Sequence, residues 1–434
     1  MGGILIMSSP NEILKLLNTS YALQQQSRAI QMYDLYYGRH KIQNKPDKIV
    51  GDEAFRTSKV MLNYYKLAVK FFVYLILSQP VKVTHPDEDF TAFIKQFHTF
   101  NQIDKHNAEL FEATSVFGNA FEHIFFDSDG NLRVRLIDGM ASVPFWNDYM
   151  DLDYFAEQYS EMDYNGVEHK IVRIFTDDET AEYNDGTQIS TAINLFGLPI
   201  VHYINDIFHR QVRSDLEDLQ SIIEEMETLI SDVADTNKYH GDPLLLVFGQ
   251  RLNSLQGKGK ILNFEKGADA KYLTWDQNIG ASDWLYNKLK ESFFDIAMLP
   301  RIFFDPKSVT SVSGVALKMF YMVSLVRAQE KAMNFKDGLL RRYALLAKVY
   351  ELTNNSKVNI NDLNIEISIN LPTNESELIN NIFTMVSGGL MSKETAMRKM
   401  PYIDNPDEEI KRLMDESPDV YRLDEGGDDG TTTN

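Results

Sequence analysis

The chain of 434 residues is 44% hydrophobic and 24% charged, the balance of a water-soluble globular protein of roughly two to four domains. Its 63 acidic against 43 basic residues leave a net charge of −20, which argues against binding the outside of nucleic acid through a basic patch. Cysteine is absent, which removes disulfides, thiolate metal sites and cysteine nucleophiles and fits a reducing compartment.

Met1 to Met7 is apolar but lacks a basic flank, so no secretory signal is expected. From Ser9 to Tyr37 the apolar positions Ile13, Leu16, Leu17, Tyr21, Ile30, Tyr33, Leu35 and Tyr36 predict one helix, ended by Gly38. His40 to Lys59 is polar, holds Pro46 and Gly51, and reads as a loop. Leu62 to Leu77 is helical and apolar, yet Lys70 interrupts it and Pro80 follows, so it falls short of the ~20 apolar residues a membrane span needs. Val81 to Val83 reads as a brief strand, and Asp89–His98 and Ile103–Gly118 as helices joined at Asn101.

Alternating patterns then predict strands at Ala120–Phe126 and Leu132–Ile137 around an Asp127-Ser128-Asp129-Gly130 turn. Further strands fit Tyr154–Tyr159, Glu168–Phe175 and Thr180–Tyr183, followed by an Asn184-Asp185-Gly186 turn. Ser214 with Glu217 three residues on has the spacing of a capping box and opens a helix to about Asn237. That helix is apolar on one stripe and acidic elsewhere, with Glu217, Asp218, Glu224, Glu225, Glu227 and Asp232 and no basic residue before Lys238. A small β segment (Leu244–Phe248, Lys260–Phe264, Ala270–Thr274) and a helix (Ser282–Met298) follow.

After Pro300 and a loop of small and hydroxyl residues, Gly314 opens an uninterrupted helical pattern to about Thr353. Such a helix spans roughly 60 Å at 1.5 Å per residue, more than a small domain is wide. Ile365–Asn370 alternates as a strand; Ser376–Val386, Lys393–Met400 (capped by Ser392) and Asp404–Met414 are helical. Asp424 to Asn434 is rich in Gly, Asp and Thr and is expected to be disordered.

No constellation carries catalytic chemistry. His202 and His209, and His98 and His106, lack zinc spacing. The Asp127 stretch has Leu132 where a calcium loop needs Gly, so it reads as a β-turn. Gly257-Lys258-Gly259-Lys260 leads into a strand and not the helix of a P-loop, so it reads as a basic turn. No metal, cofactor or catalytic residue is expected.

Several motifs in order resemble those of portal proteins of tailed bacteriophages, the type found in long-tailed phages of Gram-positive hosts. They are Tyr36-Tyr37-Gly38-Arg39-His40; Asn63 with its helix to Gln79-Pro80; Phe117-Gly118-Asn119-Ala120; and Phe196-Gly197-Leu198-Pro199-Ile200-Val201 with Asn205 and Ser214-Asp215-Leu216-Glu217. Val312-Ser313-Gly314-Val315-Ala316-Leu317-Lys318, Leu371-Pro372-Thr373-Asn374 and Ser392-Lys393-Glu394-Thr395-Ala396 complete the series.

The resemblance implies an α+β, mainly α, portal fold of wing, stem, clip and crown. Residues 1–213, with a strand near 360–372, would be the wing. Residues 214–240 and 281–300 would be the stem helices, 241–280 a β-rich clip, and 301–313 the tunnel loop. Residues 314–353 would be a long wing and crown helix, 376–415 the crown helices, and 416–434 a disordered tail. It further implies a ring, typically of twelve copies, at one capsid vertex, through which double-stranded DNA is packaged and ejected.

The DNA-facing loop would comprise Lys307, Ser308, Val309, Thr310, Ser311, Val312, Ser313 and Gly314. The acidic stem helix would repel phosphates and help a duplex slide. Gln250, Arg251, Lys258 and Lys260 in the clip would meet the terminase large subunit and later a head-completion adaptor. Major capsid and scaffold proteins would touch the wing. The place of action would be the virion vertex, after assembly in the host cytoplasm, with no membrane partner. The alternative is a minor capsid or head-morphogenesis protein without a channel.

Overall fold

The computed structural model describes residues 9–50, 53–149, 151–208, 211–240, 244–248, 269–273, 279–301, 314–369, 375–400, 402–403 and 405–416. The chain divides into two compact units, Met1–Arg301 with Val323–Asn370, and Ile302–Met322 with Leu371–Asn434.

The first unit opens with α1 (Pro10–Leu16) and α2 (Ser20–Tyr37). The single helix expected over this stretch is therefore two. The Thr19 hydroxyl donates to the Leu16 carbonyl at 2.6 Å, a local side-chain bond that competes with the helical ladder. Gly38 ends α2 in the left-handed region, as expected, with φ 83°. The expected loop from His40 to Lys59 contains a 3-10 turn (Lys41–Asn44) and a small hairpin, β1 (Lys48–Val50) with β2 (Glu53–Phe55).

The next helix, α3 (Tyr64–Leu77), starts where the Asn63 side chain accepts from the Lys66 amide at 3.1 Å. After β3 (Lys82–Thr84) come α4 (Glu88–Asn101) and α5 (Ile103–Phe117). Their joint is Gln102, at φ 49°, and not Asn101. Asn101 instead donates its amide to the Phe97 and Leu132 carbonyls, both at 3.0 Å. Gly118 ends α5 at φ 87°, where an added Cβ would stand 2.9 Å from the Arg213 backbone.

Strands β4 (Asn119–Phe126) and β5 (Leu132–Ile137) form the expected hairpin. β6 (Ser142–Trp146), β7 (Leu152–Met162), β8 (Glu168–Phe175), β9 (Glu179–Asn184) and β10 (Thr187–Ile193) build an antiparallel five-stranded sheet in the order β10-β9-β8-β7-β6. β11 (Ile200–Ile204) joins the hairpin in a second sheet, β11-β4-β5. Three of these strands fall outside the expected set. β6 is short and contains Pro144, β10 is exposed throughout, and β11 is apolar but for His202 and buried on both faces.

The chain continues through β12 (Ile207–Phe208) and β13 (Gln211–Val212) to α6 (Gln220–His240), β14 (Leu244–Phe248) and β15 (Asp269–Leu273). β14 and β15 pair antiparallel, Leu244 opposite Leu273; the strand expected at 260–264 lies outside the described residues. α7 (Ile279–Ile296) and α8 (Gly314–Asn354) follow. The expected strand at Ile365–Asn370 shortens to β16 (Asn364–Glu366), which pairs with β3.

One large core gathers the inner faces of α2 to α5, β4, β11, the start of α6, the end of α7 and one stripe of α8. A second lies between α1 and the five-stranded sheet, where Ile13 and Leu17 meet Val143, Ala156, Val172 and Ile174. Phe121, Ile137, Phe155, Phe175 and Ile200 fill the space between the two sheets. β4 serves both sides because its side chains alternate: Ala120 and Ile124 face the helical core and Phe121 the other sheet.

The stripe of α8 is Ala328, Phe335, Leu339, Tyr343 and Leu346, spaced by whole or half heptads as a buried helix face requires. Gly338 lies beside it, where a Cβ would come within 2.1 Å of the Tyr203 ring on β11. Glycine in a helix interior costs about 1 kcal/mol relative to alanine, so close packing alone explains it here. Gly338→Ala is therefore expected to destabilise the chain by about 1–3 kcal/mol through overpacking. A urea denaturation midpoint at or above wild type would contradict this.

In the second unit α10 (Lys393–Lys399) packs with α9 (Glu375–Ser387) on one side and α11 (Pro406–Glu416) on the other. The Ser392 hydroxyl caps α10 as expected, accepting from the Thr395 amide at 3.1 Å. Arg398 then ties α10 to α11 through Asp407 at 2.6 Å. No helix among the described residues is long and apolar enough to cross a membrane.

Candidate functional site

The acidic helix α6 is balanced from outside itself. Glu217 accepts from Arg28 of α2 at 2.7 Å, and Asp218 pairs with Arg213 at 2.6 Å. Glu224 lies 3.8 Å from Lys41, and Asp232 pairs with Lys45 at 2.9 Å and Lys48 at 3.6 Å. Glu225 is exposed. Glu227 is fully buried, which corrects its assignment to a solvent-facing acidic surface. The capping box is also only half formed. Glu217 does accept from the Ser214 amide at 3.3 Å, but the Ser214 hydroxyl, which donates to the Val116 carbonyl at 2.6 Å, accepts from the Leu216 amide at 3.1 Å and not from that of Glu217. A 3-10 turn (Glu217–Leu219) consequently precedes α6.

Glu227 holds a buried junction. Its Oε1 faces His40 Nδ1 at 2.5 Å and accepts from the Leu62 amide at 2.8 Å. The other ring nitrogen, Nε2, faces the Leu35 carbonyl at 2.8 Å. Two acceptors against two ring nitrogens require both nitrogens to donate, which is the charged imidazolium. Burial opposes that charge, but the bonds to Glu227 and the Leu35 carbonyl outweigh it, and the His40 pKa is raised. About two turns farther along the helix, buried Asp235 accepts from the Ser58 amide at 2.5 Å and pairs with Lys45 at 3.5 Å. The Tyr-x-Gly-x-His motif thereby has a geometry: Gly38 turns the chain out of α2 so that His40 can clamp α6.

The long helix carries two further buried centres. Arg342 and Glu122 of β4 are both fully buried, with Arg342 Nε donating to Glu122 Oε1 at 2.9 Å and Nη2 to Oε2 at 2.5 Å. Arg342 Nη1 also donates to Asn107 at 2.7 Å, while His106 and Tyr203 each reach Glu122 at 3.2 Å. Burial pushes the Glu122 pKa up, but Arg342 and His106 prevail and hold it down at about 2. Ten residues and more away, buried Lys331 donates to Asp215 at 2.7 Å, to Ser115 at 3.0 Å and to Asn205. Asp215 also accepts from Arg327 at 3.0 Å and from Asn205 at 2.9 Å. Asn205, Ser214 and Asp215, part of one motif in the sequence, are thus the cradle in which α8 rests. Lys331 and Arg342 were missed as site residues. The signal for them is phase, since both fall on the apolar stripe of α8 where a solvated cation has no place.

Asp127 is consumed by its β-turn, accepting from the Asn131 amide at 2.8 Å and pairing with Arg133 at 3.0 Å. Among the described residues no group of three metal-ligating side chains converges. Of the residues expected to face DNA, Gly314 is described and opens α8 as expected; of the expected loop 301–313, Arg301 is described and donates to Asp295 at 2.9 Å. Lys307, Ser308, Val309, Thr310, Ser311, Val312 and Ser313, and the clip residues Gln250, Arg251, Lys258 and Lys260, lie outside the described residues.

The buried charges of this α+β chain join its own long helices, and its sequence says to which family such a chain belongs. Residues 21–420 match the model of the family described as phage portal protein, SPP1 Gp6-like, and the chain belongs to that family. The portal protein of Bacillus phage SPP1 is 20% identical over 419 residues, 87% of this chain and 81% of that one. Among solved structures, a chain in the virion of a native gene transfer agent particle is 11% identical with a TM-score of 0.46, covering 88% of this chain and 92% of that one. A chain in the neck of the empty particle is 10% identical with a TM-score of 0.46, covering 90% and 93%.

Two predictions follow from the buried charges. Arg342→Met leaves Glu122 charged and unpaired in the core and is expected to cost about 3–5 kcal/mol in denaturant unfolding. The double variant with Glu122→Leu should recover part of that loss, and a fully additive double variant would show that the two do not act as a pair. For His40, the folded-state pKa stands above the unfolded value of about 6.5. Its stabilisation is therefore complete below that value and lost as pH rises through the folded one. The gap in unfolding midpoint between wild type and His40→Gln should be widest near about pH 6 and narrow toward about pH 9. A gap that does not change with pH contradicts a charged His40.

Proposed function

We propose that this chain forms a closed ring at one vertex of a phage capsid and conducts double-stranded DNA during packaging and ejection. The observation that carries the reading is the family match across residues 21–420. The net charge of −20 supports a conduit over a DNA-gripping surface, because like charge keeps a polyanion from adhering. In this reading the ring has twelve copies, residues 1–213 form the wing, and α6 and α7 are the stem. Residues 241–280 are the clip on which the terminase large subunit docks, through Gln250, Arg251, Lys258 and Lys260, and which a head-completion adaptor later takes over. Capsid and scaffold proteins meet the wing, and assembly takes place in the host cytoplasm. Lys307 to Gly314 face the DNA, the small uncharged side chains of Val309 to Ser313 giving close contact without adhesion and Lys307 reaching phosphates. The protein itself contributes no catalysis; the terminase supplies ATP hydrolysis.

Negative-stain electron microscopy of the purified chain is expected to reveal rings with a central hole, and particles without a hole would overturn the reading. Val312→Trp and Ser313→Glu should leave those rings intact while lowering the yield of packaged DNA. Normal packaging by both variants would remove the loop from the DNA path.

A further inference from the structure

The two edges of the five-stranded sheet are built differently. β6, at one edge, contains Pro144, which has no N–H to offer a passing strand, and its carbonyl accepts from the Tyr21 hydroxyl of α2 at 3.0 Å. The second sheet is guarded as well. β5 carries Arg133 and Arg135, and beside β11 the α8 side chains Asn334 and Arg341 donate to the Asn205 and His202 carbonyls.

β10 has none of these devices. Among the described residues no strand pairs with its outer edge, and every residue from Thr187 to Ile193 is exposed, Ile193 by 77%. Thr187, Ile189, Thr191 and Ile193 are β-branched, and the strand contains no proline. A bulge lies between Gln188 and Ser190, but the register from Ser190 to Ile193 is regular. No Asp, Glu, Lys or Arg stands anywhere between Asp185 and Asp206. Edge strands are ordinarily blunted by charge, proline or cover, because an open row of N–H and C=O groups recruits another strand.

We propose that β10 is an assembly edge, on which an extended segment of a second copy of this chain pairs within the ring. The inference rests on the ring reading above. The open edge offers backbone groups, which only another extended backbone satisfies in series. Charge selects the second copy as the occupant. Copies of net charge −20 repel one another, so their contact belongs where carboxylates are fewest; the chain carries none from Gly186 to Asn205, and the neighbouring Glu179 and Glu182 stand on β9, on the paired side of β10 and not at its open edge. The partner segment is not β10 itself, since a strand paired with its own copy is two-fold and closes a dimer, whereas a ring needs two different patches.

Two changes test this. Thr191→Lys combined with Ile193→Lys charges the edge without touching the core, so the circular dichroism spectrum of the folded subunit should stay at wild type. Light scattering after size exclusion should then show most of the ring peak lost to monomer. Because the chain has no cysteine, Ala192→Cys gives a single attachment point for a thiol-reactive photo-crosslinker. In rings assembled from mixed 14N and 15N chains, crosslinked peptides should join light to heavy chains. If wild type forms rings and the lysine variant forms them equally well, or crosslinks join only peptides of one isotope, β10 is not an assembly edge. A wild-type chain that remains monomeric overturns the ring reading and this inference together.

Discussion

Two cations buried on one face of α8 hold the first unit in register. An apolar stripe alone lets a helix slide by a turn, about 5.4 Å, and still bury leucines and phenylalanines. Lys331 and Arg342 forbid that slide, because a shift by one turn strands each of them away from Asp215 and Glu122. Buried ion pairs add little net stability once desolvation is counted, but breaking one is expensive. Their value here is positional. Arg342 gathers α5 and β4, and Lys331 gathers the end of α5 and the turn after β11, so the helix and both its neighbours are fixed by the same few bonds.

The same turn leads directly into α6, which couples the two longest described helices. Asp215 is bound by Lys331 and Arg327 of α8, and two residues later Glu217 is bound by Arg28 of α2. Farther along, His40 and Leu62 grip Glu227, and Ser58 and Lys45 grip Asp235. The segment between α2 and α3 thus runs along α6 and supplies it with cations and amide donors. Its polar composition, which reads as a solvated loop, reflects this role as a counter-charged strap.

Much of the secondary structure was legible because it depends on local chemistry. The Gly38 terminus, the Ser392 cap and the β4–β5 hairpin each rest on a residue acting within a few positions of itself. What was not legible depends on distant partners. Glu227 and Glu225 are two residues apart in one acidic run, yet one is sealed against His40 and the other is exposed; phase with Leu219 and Ile223 separates them, but the cation that makes burial possible comes from a distant segment. β10 escaped for the converse reason: its β-branched residues alternate, but with both faces exposed the alternation marks no buried side. Asn205 and Asp215 were legible as a motif, but their common purpose required Lys331, more than a hundred residues later in the chain.

These pairings change how the acidic balance of the chain bears on a passing polyanion. At physiological ionic strength a charge is felt over roughly 8 Å, so the net figure of −20 matters less than the carboxylates that reach solvent near the duplex. Glu227 and Asp235 contribute nothing there, being buried, and Glu217 and Glu224 are offset by Arg28 and Lys41. Glu225 remains exposed, and Asp218 and Asp232 still reach solvent although Arg213 and Lys45 pair with them. In the proposed ring each copy would repeat this short set around the axis, and repetition restores what pairing removes. A helix can therefore spend half its carboxylates on holding the subunit together and still present a belt of negative charge, provided the subunit is one of many.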